Sequence, residues 1–172
     1  MSETAPSEHG EKEYPRPALT ADVVVVAPGV AGRLRVLFIR RARPPFQGSW
    51  ALPGGFVEPT ETVGEAAVRE LAEETSLTGL LVEQLGCFSR PGRDPRGWVV
   101  SVAHLATVSA DRVAQARAGD DAAATAWLDL TMEPGGGFRL EHEGARVDHL
   151  AGGLAFDHAD ILAAAVARLR RA

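Results

Sequence analysis

The sequence lacks the features of a secreted, membrane-spanning or nucleic-acid-binding protein. It has a single cysteine, so no disulfide can form within the chain, and we expect a reducing, cytoplasmic location. No apolar run reaches the ~18 residues of a membrane-spanning helix and no signal-peptide pattern is present, so we expect no membrane partner. The formal net charge of −5 argues against general binding to nucleic acid, which requires a basic face.

The rest of the composition is that of an ordinary globular domain. The chain has 172 residues, 45% of them hydrophobic and 24% charged, which suffices for one domain with a sizeable core. Residues 1–17 are polar with three prolines, and they predict a flexible tail before one domain over residues 18–172. Cys87 lies in the apolar run LGCF and is predicted to be in the core.

A helix is predicted to begin at Thr62 and to run to Thr75. Thr62 and Glu65 have the spacing of a capping box, in which each side chain accepts a hydrogen bond from an N–H group that the helix leaves unpaired. The residues that follow are mostly good helix formers, and none is proline. Leu71 and Thr75 fall on a side of this helix that can pack against a sheet.

Three carboxylates share another side of the predicted helix. Glu70, Glu73 and Glu74 fall within an arc of roughly 100°, where they repel one another unless cations lie among them. Oxygen ligands suit Mg²⁺, with Mn²⁺ also possible, and do not suit zinc. The alternative is a solvated acidic face, but lysines four residues away usually accompany such a face, and Arg69 is the only base in this run. Spacing alone favours the metal site and leaves the alternative open.

The stretch that contains this helix resembles the Nudix box, G-x5-E-x7-R-E-U-x-E-E-x-G-U, where U is apolar. Eight positions of the pattern are matched, namely Gly55, Glu61, Arg69, Glu70, Leu71, Glu73, Glu74 and Leu77. Ser76 stands where the family has the glycine that ends the helix. Serine in the left-handed conformation costs about 1 kcal/mol and is expected to shift the helix exit slightly, but it removes no ligand.

The resemblance implies an enzyme that hydrolyses a nucleoside diphosphate linked to another group. It assigns metal ligands to Glu70, Glu73 and Glu74, with help from Glu61 and the Gly55 carbonyl, and catalytic roles to Glu70, Glu73 and Arg69. Arg69 would orient a glutamate, and Gly54 would let the backbone approach metal and phosphate closely. The general base stays open among Glu70, Glu133, Glu141 and Glu143.

The fold class follows from the order of apolar segments. Strands are predicted at residues 21–27, 33–40, 80–89, 97–108 and 122–130, and a second helix begins at Asp157. Val99, Ser101 and Ala103 alternate in a way that predicts a partly exposed strand face. Strands alternating with two helices indicate an α/β domain with a mixed sheet between helices, which is also the Nudix-type α/β/α sandwich.

Arginine-rich loops supply the candidates for substrate binding. Arg40, Arg41 and Arg43 either contact a phosphate or neutralise the acidic helix. The loop from Arg90 to Gly97, together with FVEPTE and LAFDHADIL, resembles the ADP-ribose pyrophosphatase branch, which implies ADP-ribose as a small-molecule substrate cut to AMP and ribose 5-phosphate. Two interpretations of this loop stay open: Arg90, Arg93 and Arg96 hold the phosphate of the terminal ribose, or the loop is a surface turn tied by Asp94.

Several alternatives remain at this point. The substrate could instead be a nucleoside triphosphate, an oxidised nucleotide or another dinucleotide. A third reading is a ligand sensor of the kind found in transcriptional regulators, but the chain ends at Ala172 without a DNA-binding domain, so we expect no nucleic-acid partner. Residues 133–153 could form a polar hairpin that turns at residues 143–144, as a surface feature, a lid or the interface of a possible homodimer. Asp157 either caps the second helix or borders an adenine pocket.

Overall fold

In this computed structural model, the structure describes residues 14–119, 122–148 and 153–171. The predicted tail therefore lies mostly outside the described residues, and residues 14–17 have no regular secondary structure. The strands are β1 (Ala18–Pro28), β2 (Leu34–Arg41), β3 (Trp50–Ala51), β4 (Gly54–Phe56), β5 (Glu83–Phe88), β6 (Val99–Thr107), β7 (Ala122–Met132), β8 (Phe138–His142) and β9 (Ala145–Val147). The helices are α1 (Val63–Thr75) and α2 (His158–Leu169).

The strands form one mixed sheet. Its order is β5-β6-β1-β2-β7-β8-β9, with β3 paired to β2 and β4 paired to β1. Strands β1 and β6 run parallel, while the other pairs in the described part of the chain are antiparallel. The short strand β4 lies beside the centre of the sheet because it pairs with β1. It is also next to α1.

The two helices cover opposite faces of the sheet, and the valine run of β1 shows why. Val23 and Val25 pack with Leu71 of α1 in one cluster, whereas Val24 belongs to a second cluster with Ile161 of α2. A strand covered on both faces has no polar side, so its sequence is continuously apolar rather than alternating. The α/β/α arrangement with a mixed sheet, predicted from the sequence, is confirmed.

Two predictions about exposure were wrong. Val99, Ser101 and Ala103 are 4%, 0% and 0% exposed, because their face of β6 is covered by the cluster that includes α2. Cys87 is exposed rather than in the core. Strand β5 forms one edge of the sheet, and an apolar run on an edge strand still turns alternate side chains away from the core.

The segment after β7 forms the predicted hairpin. Strands β8 and β9 pair antiparallel, and the turn lies at Glu143 and Gly144, whose φ angles are 51° and 79°. Buried Leu140 anchors β8 to the core, so the hairpin extends the sheet rather than lying over the acidic helix. In the part of the chain that the structure describes, no helix is both long and apolar enough to cross a membrane.

Candidate active site

Helix α1 begins and ends where the sequence predicts. The Thr62 hydroxyl accepts a hydrogen bond from the Glu65 N–H at 3.2 Å, and the Glu65 carboxylate accepts one from the Thr62 N–H at 2.8 Å. At the other end Ser76 is left-handed, with φ 61°, and its N–H donates to the Ala72 carbonyl. The capping box and this exit fix the rotation of the helix, and therefore the direction of its glutamates.

Two glycines bring the backbone of β4 against this helix. A Cβ atom on Gly55 would lie 2.4 Å from the carboxyl carbon of Glu70, so only glycine leaves room for that side chain. Gly54 has φ 153°, and a Cβ atom there would lie 2.3 Å from the Ala21 carbonyl of β1. The strand is thus held between the sheet and the glutamates at a separation that any side chain would prevent.

Glu74 points back at this glycine strand. Its carboxylate accepts a hydrogen bond from the Gly54 N–H at 2.9 Å. Burial raises the pKa of Glu74 to about 8, and the negative charges of Glu70 and Asp22 act in the same direction. Burial also raises the pKa of Glu70, against the opposing effect of its hydrogen bond from Arg69. A buried acid pair of this kind is stabilised by a cation.

Arg69 organises the other carboxylates of the helix. It donates to both oxygens of Glu61, to Glu70 at 2.7 Å, to Glu73 at 3.2 Å and to the Phe56 carbonyl at 3.1 Å. The hydrogen bonds from Arg69 and from the Glu58 N–H lower the pKa of Glu61 to about 2. Glu61 therefore stays ionised and holds the loop before the helix against Arg69.

A cleft of about 540 Å³ opens over these residues. Glu70, Glu74 and the two glycines line one wall, and Arg41 and Arg43 line another. Of the other predicted ligands, Glu73 has a side chain that is 60% exposed. Neither Glu73 nor Glu61 lines the cleft, so the structure brings two of the four predicted glutamates into it.

The donors in the cleft fit a hard divalent cation. Among the described residues, no three acidic, histidine or cysteine side chains converge closely enough to form a complete metal site. Mg²⁺ and Mn²⁺ do not require one, since Mg²⁺ commonly takes one or two carboxylates and fills its remaining positions with water and substrate phosphate oxygens. The carboxylates of Glu70 and Glu74 are an all-oxygen pair of that kind, whereas Gly55 pairs with Ala21 of β1, and ligation by its carbonyl stays a prediction. The roles of the individual residues stay predictions.

The cleft contains an arginine that lacks a carboxylate partner. Arg41 is half-buried, its Nε donates to the Pro45 carbonyl at 2.7 Å, and its guanidinium lies 4.9 Å from the centre of the Phe156 ring. No carboxylate of the described residues lies within ion-pair distance of it. Burial and the neighbouring positive charge of Arg96 lower the pKa of Arg41. Such a guanidinium is suited to an incoming anion.

Arg40, the residue predicted to bind substrate, lies elsewhere. Its side chain is over the Trp50 ring at 5.4 Å, and its Nε donates to the Gly48 carbonyl at 2.9 Å. It does not line the cleft. Arg40 and Arg41 are adjacent at the end of β2, and the pairing of β2 with β7 shifts register between them. Such an irregularity depends on the partner strand, so the local sequence provides no signal that Arg41 rather than Arg40 lines the cleft.

The arginine loop between β5 and β6 is tied internally. Arg93 donates to both oxygens of Asp157 at 2.6 and 2.8 Å, with each side chain 3% exposed. Arg96 binds Asp94 with the same two-pronged geometry, at 2.6 Å for its shortest bond. Of the two interpretations of this loop, the turn tied by Asp94 is therefore observed, while phosphate binding by these arginines stays a prediction.

The third arginine of the loop, Arg90, is exposed and lies 3.3 Å from Asp160. Next to Arg93 and Arg96 the structure has a cavity of only about 40 Å³, which also touches Asp22 and His158. That volume is far below the roughly 300–1,000 Å³ of a ligand pocket, so this cavity by itself does not hold a nucleobase. Asp157 begins α2 at its N-cap position, but its carboxylate binds Arg93 instead of capping the helix.

The candidates for the general base separate clearly. Glu141 lies 3.3 Å from Arg139, and Glu133 lies 3.9 Å from the same arginine. Both belong to the segment around β8, as does Glu143 in its turn, and none of the three lines the cleft. Glu70 is the one candidate that does.

Comparison with known proteins agrees with this geometry. The model of the NUDIX domain matches residues 16–145. A protein from Methanocaldococcus jannaschii named ADP-ribose pyrophosphatase is 41% identical over 70% of this chain and 67% of its own. The ADPR responsive transcriptional repressor NtrR of Acinetobacter baylyi is 31% identical over 95% of this chain and 58% of its own.

A solved structure agrees as well. The NUDIX domain of Shewanella oneidensis NrtR complexed with ADP ribose superimposes with a TM-score of 0.71 and 28% identity, covering 95% of both chains. This chain spans about two thirds or less of the length of the two relatives named above. The family model covers the helix and the glycine strand described here, and the chain belongs to the NUDIX family.

Proposed function

We propose that this domain hydrolyses the diphosphate bond of a nucleoside diphosphate linked to another group, and that ADP-ribose, cut to AMP and ribose 5-phosphate, is its substrate. The observation that carries the proposal is the cleft in which Glu70 and Glu74 lie on one wall and Arg41 on another. Carboxylates bind the cations that accompany a diphosphate. The guanidinium of Arg41, which has no carboxylate partner among the described residues, binds the diphosphate itself.

Each residue then has a chemical task. A bound Mg²⁺ or Mn²⁺ would neutralise the diphosphate and lower the pKa of an attacking water. Glu70 and Glu74 hold the cation, and the missing side chain of Gly55 leaves the room that the Glu70 carboxyl group occupies. Arg69 keeps Glu70 oriented through a 2.7 Å hydrogen bond. Glu70 is also the base candidate that lines the cleft.

The choice of ADP-ribose rests on the relatives and on size. The M. jannaschii relative is named for this substrate, and the Shewanella domain was solved with ADP ribose bound. The cleft volume of about 540 Å³ is in the range that holds a ligand of this kind. Phe56, which is 41% exposed, lines the cleft and offers an apolar surface beside the phosphate site.

A second candidate function is ligand sensing. The A. baylyi relative is a transcriptional repressor, so the expectation that no nucleic acid is bound lacks support from the relatives. The complete set of box glutamates favours hydrolysis, because a sensor needs to hold ADP-ribose without turning it over. A sensor would bind ADP-ribose tightly and release no AMP.

The test is product analysis with ADP-ribose and Mg²⁺, or Mn²⁺ in its place. We expect AMP and ribose 5-phosphate from the wild type, no product from Glu74→Gln, and a raised KM from Arg41→Ala. Glu83→Gln is the matched control, since Glu83 is an exposed glutamate that pairs with Arg168 outside the cleft. Binding without product would favour the sensor, and turnover by Glu74→Gln equal to that of the wild type would refute the site.

A further inference from the structure

Helix α2 contacts the segment of residues 52–55, the glycine turn, through one buried hydrogen bond. The backbone N–H of Leu52 donates to Nδ1 of His158 at 2.8 Å, across 106 residues of sequence. Both residues are buried, at 1% and 3% exposed. Leu52 stands two residues before Gly54, so the last helix of the domain holds the backbone that leads directly into the cleft.

The hydrogen bond fixes the chemical state of His158. Because Nδ1 accepts, the proton of a neutral imidazole is on Nε2, which lies 3.7 Å from Oδ1 of Asp22. Burial lowers the pKa of His158, while Asp22 and Asp157 raise it and Arg93 and Arg41 lower it further. A neutral ring is the form that can accept from Leu52, since a protonated ring has two donors and no acceptor.

The histidine is itself held firmly. It follows Asp157, whose carboxylate is fixed by both prongs of Arg93 at 2.6 and 2.8 Å. Arg93 also lies 3.9 Å from Asp22, which accepts a hydrogen bond from the Ser101 hydroxyl of β6. The start of α2, the arginine loop and the two central strands are thus joined by buried charges that have partners, and this network has little freedom to move.

The segment on the other side of the bond carries the cleft. The Pro53 carbonyl accepts from the Val23 N–H at 2.8 Å, and the Gly54 N–H donates to Glu74 at 2.9 Å. Gly55 lies against the Glu70 carboxyl group, where even a methyl group would collide. A shift at Leu52 therefore reaches Gly54 and Gly55, and through them the carboxyl groups of Glu74 and Glu70.

We propose that His158 is a positioning residue, which sets the position of the glycine turn so that Glu70 and Glu74 present their oxygens to a divalent cation. This inference rests on the proposed function, but it concerns cation binding and can be tested without turnover. Loss of the acceptor would leave the Leu52 N–H buried without a partner, and the turn would shift to find one.

The experiment compares three replacements of His158 by titrating Mn²⁺ into the full chain without substrate and following free Mn²⁺ by electron paramagnetic resonance. In His158→Asn the amide oxygen lies near the position of Nδ1 and restores the acceptor, whereas His158→Gln places its amide near Nε2 and His158→Leu has no acceptor. We expect the asparagine variant to bind Mn²⁺ as the wild type does and the other two to lose about 10-fold or more in affinity.

His104→Asn is the matched control. His104 is also buried, at 3% exposed, but it lies on β6 opposite Val23 of β1, and the Leu52 N–H donates to His158 instead. Thermal melts of all variants show whether the loss is confined to the site. Equal Mn²⁺ affinities in the asparagine and glutamine variants, or an equal loss in His104→Asn, would overturn the proposal.

The outcomes separate this inference from the proposed function. A wild type that binds Mn²⁺ but leaves ADP-ribose intact refutes the proposed substrate, and the ranking of the His158 variants still decides the positioning role. A wild type that binds no Mn²⁺ overturns both. Where turnover is observed, we expect the glutamine variant to lose kcat at saturating ADP-ribose with its KM little changed, since His158 does not line the cleft.

Discussion

Arg69 donates two hydrogen bonds to Glu61, from Nη2 to Oε1 at 2.6 Å and from Nε to Oε2 at 3.0 Å. The remaining nitrogen of the same guanidinium binds Glu70 at 2.7 Å. One planar group therefore sets the position of a cleft carboxylate relative to the loop that precedes the helix. A point charge cannot satisfy all three oxygens at once.

Arg69→Lys tests this relationship. We expect kcat to fall by about 10- to 100-fold, because the ammonium reaches either Glu61 or Glu70 but does not orient both. The pKa of Glu61 should rise from about 2 toward its ordinary value, and carbon NMR of the labelled carboxyl measures it. Arg168→Lys, at an exposed pair with Glu83 outside the cleft, is the control and should leave activity unchanged. Full activity in Arg69→Lys would contradict the orienting role.

Gly55→Ala tests the contact between the glycine strand and the helix. The new Cβ atom would lie 2.4 Å from the carboxyl carbon of Glu70, so that side chain must move and Mn²⁺ affinity should fall about 10-fold or more. Gly64→Ala is the matched control, since a Cβ atom there meets nothing within 4 Å. It should stabilise the helix by about 0.5–1 kcal/mol without changing Mn²⁺ affinity. Unchanged affinity in Gly55→Ala would show that Glu70 is not a ligand.

Because the pKa of Glu74 is raised, we predict that Glu74 releases a proton when a cation binds. Its pKa is about 8 in the folded protein against 4.5 as the ordinary value, so between these values the folded state binds more protons than the unfolded state. The contribution of Glu74 to the free energy of unfolding therefore decreases as the pH rises from 4.5 to about 8. A cation binds the ionised form, so Mn²⁺ affinity should increase by up to about tenfold per pH unit below pH 8.

Calorimetry of Mn²⁺ binding in two buffers of different ionisation enthalpy measures the protons released. At pH 7 we expect close to one proton per Mn²⁺ for the wild type, and a clear reduction in Glu74→Gln. Glu83→Gln should match the wild type. The same proton release in Glu74→Gln would assign the titrating group to another residue.

Ser76→Gly separates stability from activity. Ser76 has φ 61°, where glycine pays no steric penalty, so the free energy of unfolding should rise by about 1 kcal/mol in urea melts. Gly79→Ser is the mirror control, because Gly79 has φ 66° and open space around it, and it should lose a similar amount. Neither change should alter kcat or KM, since neither residue lines the cleft.

The features that the sequence predicted are those whose cause is local. The capping box of Thr62 and Glu65 and the left-handed Ser76 follow from spacing of a few residues, and the structure confirms them. The hairpin turn at residues 143–144 belongs to the same class. Spacing along a helix likewise placed Glu70 and Glu74 together.

The features that the sequence could not predict depend on which distant segments meet. Arg93 finds Asp157 at a separation of 64 residues, and nothing in either local sequence indicates that pairing. Cys87 was misplaced because an apolar run does not reveal whether its strand lies at the centre or the edge of a sheet. The local sequence gives no sign that His158 differs from other residues at a helix start, because its partner, the Leu52 N–H, is 106 residues away.

The separation between Leu52 and His158 also bears on how the domain folds. Glu74 and Gly54 are 20 residues apart, so they can meet early through a short loop, whereas Leu52 and His158 close a loop of 106 residues. Long-range contacts form late, because the entropy lost in closing a loop increases with its length. During synthesis, α1 and β4 are therefore complete long before α2. The site reaches its final geometry only after α2 has folded and His158 has accepted the hydrogen bond from Leu52.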